Sequence, residues 1–204
     1  MAWKKHSKQI RDLAEGLVKI GALQFGTFTL PDGSDSSYYI NLGGLMSYPG
    51  VYKLVVDAMS SLVTSKTSKA NALCGIPMTG LAIAAPVAVR LGMPLAYTRV
   101  VERVGEKTVG GELRPGWNVV IMDDLATSGK TLLTSTKAVE QEGGEVSHAI
   151  VLIDRLEGAR EKLSKKGIAL HCVIDVIELA DSLYSMELIT EGNLKSITRA
   201  VGGR

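Results

Sequence analysis

The chain has 204 residues, 46% of them hydrophobic, so it is long enough to bury a full core and is expected to form one domain. Its 23 basic and 21 acidic residues leave a net charge of +2, which gives no electrostatic reason to expect nucleic acid or a membrane surface as a partner. The longest uncharged apolar run, residues 81–89, contains a proline and is about half as long as a membrane span.

The N-terminal segment and the cysteines indicate the compartment. Residues 1–11 are polar and basic with no apolar stretch behind them, unlike a secretory signal. Cys74 and Cys172 lie in apolar, strand-like runs without metal-ligand spacing, which predicts buried thiols in a reducing environment. We therefore expect a cytoplasmic protein.

Hydrophobic periodicity predicts strands that alternate with helices through most of the chain. In chain order, the expected elements are a helix over 4–20, strands over 22–30 and 36–41 joined by a turn at 31–33, a helix over 51–63, a strand over 71–76, a helix from 80 to 90, strands over 94–98 and 119–122, a helix from 130, a strand over 146–153, a helix over 157–166, an edge strand over 168–177 and one or two helices within 183–201. Such alternation implies an α/β fold with a parallel sheet, helices on both faces and a ligand at the carboxyl ends of the strands.

One stretch carries most of the functional information. Val119 to Met122 is a short apolar run that suits a strand buried on both faces, and the carboxylates Asp123 and Asp124 are expected to end it. A small polar turn follows, and the pattern becomes helical from Lys130. This stretch therefore predicts a strand, an acidic tip, a tight loop and a helix.

A loop at a helix N-terminus offers free backbone N–H groups and the positive end of the helix dipole, which together suit one phosphate. Hydroxyl groups of Thr127, Ser128 and Thr131 lie in or beside this loop. Two carboxylates so close to a phosphate would repel it unless they faced another part of the same ligand, and sugar hydroxyls would suit them. The pattern thus favours a ribose 5-phosphate.

Two other interpretations of this loop fit the sequence less well. A P-loop NTPase would need a glycine five positions before Gly129, where Asp124 stands. A purely structural turn would more commonly use one Asp or Ser as the N-cap of the helix, rather than a doubled acid and a polar turn.

The segment from Val120 to Thr131 resembles the signature that binds 5-phosphoribosyl 1-pyrophosphate (PRPP) in type I phosphoribosyltransferases. The resemblance implies that fold, with a parallel sheet flanked by helices, a core over about 50–180 and a small N-terminal hood over about 20–45. It also implies that the two acids hold the ribose hydroxyls and that the turn wraps the 5-phosphate. The residues implied for PRPP are Asp123, Asp124, Leu125, Ala126, Thr127, Ser128, Gly129, Lys130 and Thr131, with Thr79 and Gly80 at the pyrophosphate.

Residues 23–28 and 38–40 are similar to the N-terminal region of the orotate phosphoribosyltransferases, in which a hood covers the base. Tyr38 and Tyr39 are expected to line the pyrimidine pocket by stacking or through their backbone, the alternative being ordinary strand-forming tyrosines. The family also has an Asp-Arg pair whose arginine contacts the base, which implies Arg155, with a surface arginine as the alternative. Thr127 is a further expected orotate contact.

Residues 99–116 contain several glycines and follow no period, which predicts a mobile functional loop, with a disordered surface excursion as the alternative. In the family such a loop closes over PRPP and reaches the neighbouring subunit of a homodimer. By position, Arg99, Arg103 and Lys107 are the implied catalytic residues of the loop, acting with Asp124.

The chain departs from the family pattern at several positions. Pro31 and Val100 stand where lysines are usual, Leu42 or Gly43 where an arginine is frequent, and no histidine occurs between 99 and 117. The three histidines of the chain are assigned no chemistry.

The expected function is conversion of orotate and PRPP to orotidine 5'-monophosphate and pyrophosphate in pyrimidine synthesis. Mg²⁺ is expected to be held mainly through PRPP, since no dedicated carboxylate cage is apparent. Two alternatives remain open: a phosphoribosyltransferase for another base, which the departures favour, and a non-catalytic regulator that senses PRPP with a depleted catalytic loop.

Overall fold

A computed structural model describes residues 8–29, 35–99 and 107–202. In chain order the elements are α1 (Lys8–Lys19), β1 (Leu23–Thr29), β2 (Asp35–Ile40), a short 3-10 helix (Leu45–Ser47), α2 (Pro49–Lys66), β3 (Ala72–Gly75), α3 (Thr79–Leu91), β4 (Leu95–Thr98), β5 (Val109–Gly110), β6 (Asn118–Ala126), α4 (Lys130–Gln141), β7 (Glu145–Asp154), α5 (Ala159–Ser164), β8 (Ala169–Asp175), α6 (Val176–Ser185) and α7 (Glu191–Gly202). They form two compact units, one spanning residues 56–173 and the other the described residues before and after it. None of the described helices is long and apolar enough to cross a membrane.

The unit of residues 56–173 is built on a six-stranded sheet in the order β5-β4-β3-β6-β7-β8. Strands β4, β3, β6 and β7 are parallel neighbours, and β5 pairs antiparallel with the edge of β4. The predicted α/β fold with a mostly parallel sheet flanked by helices is confirmed.

The centre of the sheet is apolar because its strands are covered on both faces. Val119 to Met122 are each at most 2% exposed, as are Ala149 to Leu152 on the neighbouring strand β7. Side chains of α4 and α5 pack against one face, including Leu132, Val139 and Leu163. This packing fixes the position of the loop that joins β6 to α4.

The second unit contains the predicted N-terminal hairpin. Strands β1 and β2 pair antiparallel, with Leu23 opposite Ile40 and Phe25 opposite Tyr38. The predicted turn at 31–33, with Pro31, lies outside the described residues. Helices α1, α6 and α7 complete this unit, and α1 buries Leu13 and Leu17.

Element boundaries differ from the prediction in two informative places. The last strand was expected to continue to residue 177, but α6 begins at Val176 because Asp175 and Glu178 form a capping box. The segment 99–116 is not one continuous loop, because Val109 and Gly110 pair back onto Tyr97 and Thr98.

Candidate active site

The two acids lie within a strand and not beyond its end. Strand β6 was expected to stop at Met122, but its pairing with β7 continues to Ala126, which lies opposite Asp154. Strand β7, which is longer than β6, supplies hydrogen-bond partners that the sequence of β6 alone does not predict. Asp123 is 9% exposed and Asp124 is half-buried.

The carboxyl groups of the pair interact with each other and with their surroundings. Oδ1 of Asp123 accepts a hydrogen bond of 2.9 Å from the backbone N–H of Asp124. Burial, reinforced by the neighbouring charge of Asp124, raises the pKa of Asp123 to about 8. Burial also raises the pKa of Asp124, although hydrogen bonds from Asp123 and Thr79 act in the opposite direction. The free protein therefore holds an acid pair that is costly to ionise fully and suited to hydrogen bonding with a diol.

The N-terminus of α3 approaches the acid pair from the neighbouring strand. Gly80 is buried, and a Cβ atom at this position would lie 2.6 Å from Oδ1 of Asp123 and 2.9 Å from the carbonyl oxygen of Met122. Glycine is thus required for close packing of α3 on β6, and the contact of Gly80 with pyrophosphate stays a prediction. The preceding Pro77–Met78 peptide bond is cis.

The turn after β6 has the predicted form and opens α4. Gly129 is the N-cap of α4 with φ of 77°, and no side chain caps the helix. A Cβ on Gly129 would lie 3.0 Å from Cα of Ala159, so both backbone conformation and space demand glycine. The carbonyl oxygen of Thr127 accepts a hydrogen bond of 3.2 Å from the N–H of Ala159.

The side chains of this turn differ in their exposure to solvent. Leu125, Thr127 and Ser128 are half-buried, Ala126 is buried, and Lys130 and Thr131 are exposed. The arrangement places hydroxyl groups and an uncapped helix N-terminus together at the carboxyl end of β6. Such a site suits a bound phosphate.

Arg155 follows β7 directly and is 3% exposed, so the surface-arginine alternative is wrong. Its backbone N–H donates to the carbonyl oxygen of Ala126 at 2.9 Å, which ties it to the end of β6. Nε of Arg155 lies 2.9 Å from Oε1 of Glu157. Its contact with orotate remains a prediction.

The sequence did not predict a clamp beside Arg155, in which the buried carboxyl group of Asp154 accepts hydrogen bonds from two donors. Asp154 is 1% exposed, and its Oδ2 accepts a hydrogen bond of 2.9 Å from Nη2 of Arg160. Its other oxygen, Oδ1, accepts one of 2.9 Å from the N–H of Leu156, a residue with φ of 59°. The sequence analysis interpreted only the arginine of the Asp-Arg pair. The sequence signal for this clamp was the spacing of Asp154 and Arg160, since the acid stands six residues before an arginine at the start of α5.

The basic residues expected in the loop are partly described. Arg99 and Lys107 are exposed and stand on opposite stems of the β4–β5 hairpin, where the N–H of Arg99 donates to the carbonyl oxygen of Thr108 at 2.8 Å. Arg103 and Val100 lie outside the described residues. The hairpin places Arg99 beside Thr108, which the sequence did not predict.

The two tyrosines of β2 differ sharply. Tyr38 is 1% exposed in the core of its unit, so its ring offers no open face for stacking, and a contact with the base through its backbone stays a prediction. Strand alternation causes this burial, because Ser36 and Ile40 point inward with it. Tyr39 is exposed and stacks on Phe28 with ring centroids 5.5 Å apart.

Within the described ranges, no three His, Cys, Asp or Glu side chains form a group that could hold a metal ion. Cys74 is buried as expected, and Cys172 is half-buried; both are free thiols.

Comparison with known proteins identifies the class. The family model for the phosphoribosyl transferase domain matches residues 45–180, and the chain belongs to this family. The resemblance found in the sequence is thereby confirmed.

Individual relatives show which members of the family this chain resembles. The orotate phosphoribosyltransferase of Methanopyrus kandleri is 36% identical over 170 residues, covering 82% of this chain and 90% of that protein. The crystal structure of orotate phosphoribosyltransferase from Aeropyrum pernix matches 86% of this chain and 99% of its own, with 33% identity and a TM-score of 0.74. The structure of Leishmania donovani UMP synthase matches 97% of this chain with 30% identity and a TM-score of 0.87, and this chain spans 43% of its length.

Proposed function

We propose that the protein is an orotate phosphoribosyltransferase, which transfers the phosphoribosyl group of PRPP to orotate and releases pyrophosphate. The observation that carries this proposal is the union, on one strand-loop-helix unit, of a buried acid pair and an uncapped helix N-terminus that opens with Gly129. The named relatives supply the choice of base.

In this proposal PRPP spans the carboxyl end of β6. Asp123 and Asp124 accept hydrogen bonds from the ribose hydroxyls, and residues 126–131 surround the 5-phosphate. Thr79 stands beside Asp124, as its hydrogen bond shows. The pyrophosphate would then lie toward the N-terminus of α3, and Arg99, Arg103 and Lys107 would offset its negative charge.

The reaction breaks the bond between C1 of the ribose and the pyrophosphate oxygen, which keeps the electron pair. Positive charge develops on C1 and the ring oxygen, and the lone pair of the base nitrogen forms the new bond to C1 while the proton on that nitrogen passes to the released pyrophosphate. The protein contributes by holding both reactants in line and by stabilising the separated charges.

We propose Mg²⁺ as the metal, bound mainly to PRPP oxygens. The residues present fit such a cation, because the carboxyl groups of Asp123 and Asp124 lie together near the carboxyl end of β6 and Mg²⁺ takes oxygen ligands. When bound, the metal would neutralise the leaving pyrophosphate.

Orotate is proposed to bind near Arg155 and Thr127. A guanidinium offers two parallel donors to the carboxylate of orotate. Glu157 would compete for the same guanidinium, since it is ion-paired with Arg155 in the free protein.

We also propose a cytoplasmic homodimer in which segment 99–116 reaches the neighbouring site. Support comes from two apolar side chains at the two ends of α3, since Met78 is 85% exposed and Val89 is 84% exposed. Light scattering tests this: the wild type should have twice the monomer mass and Val89→Glu should shift toward monomer. A monomeric wild type would contradict the dimer while leaving the reaction untouched.

The decisive assay follows the loss of orotate absorbance with protein, PRPP and Mg²⁺. Wild type should turn over, Asp124→Asn and Arg103→Ala should each lose about 100-fold or more in kcat/KM, and Glu140→Gln, an exposed acid on α4, should match wild type. Turnover of another base in place of orotate would make that base the substrate. Binding of PRPP with no turnover of any base would favour the regulator.

A further inference from the structure

A small cavity lies at the amino ends of β6 and β7, where the last residue of α2 and the turn after it meet the sheet. Its volume is about 170 Å³. The polar residues that line it include Lys66, Thr67, Ser68, Lys69, Asn118 and His148. Its position is distinct from the PRPP site, because Asn118 begins β6 and the acid pair lies near the opposite end of that strand.

The charge around this cavity has one sign. Lys66, Lys69 and His148 line it, and none of the described residues that line it is acidic. Behind His148, the ring of His171 lies with Nε2 at 3.1 Å from Nδ1 of His148, and the two ring centroids are 5.3 Å apart.

Positive charges also act on His171, which lies behind His148. The pKa of His171 is lowered to about 4, first by burial and then by the positive charges of His148, Lys66 and Arg160. Arg160 is ion-paired with the buried Asp154 and does not line the cavity, so Lys66 and Lys69 supply the positive charge of the cavity itself. Two lysines beside one small cavity are complementary to an anion.

We propose that this cavity binds a small multivalent oxyanion of the phosphate type, held by Lys66, Lys69 and His148. The volume fits one phosphate group and is below the roughly 300–1,000 Å³ of pockets that enclose drug-sized ligands. The hydrogen bond between His148 and His171 joins the two rings at 3.1 Å, so an anion bound at His148 would change the surroundings of both rings.

Proton NMR of the histidine rings tests this site separately from the PRPP site. The chain has three histidines, so the resonances of His148 and His171 can be assigned by substitution, with His6 as an internal reference. At constant ionic strength and pH 6.5, inorganic phosphate should shift the His148 and His171 signals saturably and leave His6 unmoved. Parallel titrations with pyrophosphate and uridine 5'-monophosphate would show whether the free anion or a nucleotide phosphate is preferred.

The matched variants remove equal charge from two places. Lys66→Gln/Lys69→Gln should weaken the phosphate-dependent shift by about tenfold or more, as expected for lost charge-assisted contacts. Lys137→Gln/Lys195→Gln, which removes two exposed lysines of α4 and α7, should titrate like wild type. Unmoved His148 and His171 signals with all three anions, or equal titration by both double variants, would overturn the proposal.

Discussion

Asp123 is the residue at which burial and charge oppose each other most strongly. Its carboxyl group is 9% exposed and lies beside a second carboxyl group. A carboxyl group whose pKa is higher in the folded state binds more protons there than in the unfolded chain. The free energy of unfolding therefore falls as pH rises between the ordinary value of 3.8 and the folded value of about 8.

Asp123→Asn removes this titration, so the wild type should lose stability relative to the variant as pH rises. Urea unfolding at pH 5 and pH 8 should show a relative loss of more than about 1 kcal/mol for the wild type, since one pKa unit corresponds to about 1.4 kcal/mol. The exposed Asp181→Asn serves as the control and should run parallel to wild type. Parallel curves for Asp123→Asn as well would contradict the raised pKa.

Gly80 is the residue at which α3 and β6 approach most closely. Gly80→Ala should lower the free energy of unfolding by about 1–3 kcal/mol, because its methyl group would overlap Oδ1 of Asp123. Gly50→Ala in α2 meets nothing within 4 Å and should be neutral or stabilising. Thermal unfolding measures both, and equal melting temperatures for the two variants would refute the packing role.

The sequence placed the acids and the hydroxylated turn side by side because they are adjacent in the chain, and their roles stay predictions. The exposure of side chains was harder to predict. The burial of Tyr38 and of Arg155 depends on strand alternation and on packing partners far away in sequence.

At the scale of elements, periodicity predicted the existence of most helices and strands, but pairing decided their ends. Strand β6 continues through the acids because β7 offers pairing partners up to Asp154, and the two-residue strand β5 exists only by pairing with β4. The start of α6 was available in principle from Asp175 and Glu178, whose spacing is that of a capping box.

The link between β7 and α5 is the element-scale feature with the clearest energetic consequence. Arg160→Ala would leave the buried carboxyl group of Asp154 with one fewer donor and should cost about 1–3 kcal/mol of stability. Lys162→Ala, on the same helix and exposed, should change stability little. Chemical denaturation of both variants measures the difference, and a loss no larger for Arg160→Ala than for the control would exclude the clamp.

At the scale of the whole molecule, the α/β class followed from the alternation of elements, and the family followed from one motif. The division into two compact units does not coincide with a linker in the sequence, because residues before 56 and after 173 fold together. Helices α1, α6 and α7 pack together through contacts between distant parts of the chain, and local composition does not indicate such contacts.

The central claim is that the acid pair and the turn after it bind opposite ends of one PRPP molecule. Calorimetric titration of PRPP and Mg²⁺ into the protein tests it most directly, with Asp124→Asn compared against the exposed-acid control Glu140→Gln. The claim predicts binding by the wild type and the control, with affinity at least about tenfold weaker for Asp124→Asn, since a charge-assisted hydrogen bond is lost. Equal affinity for all three proteins, or no binding by the wild type, would contradict it.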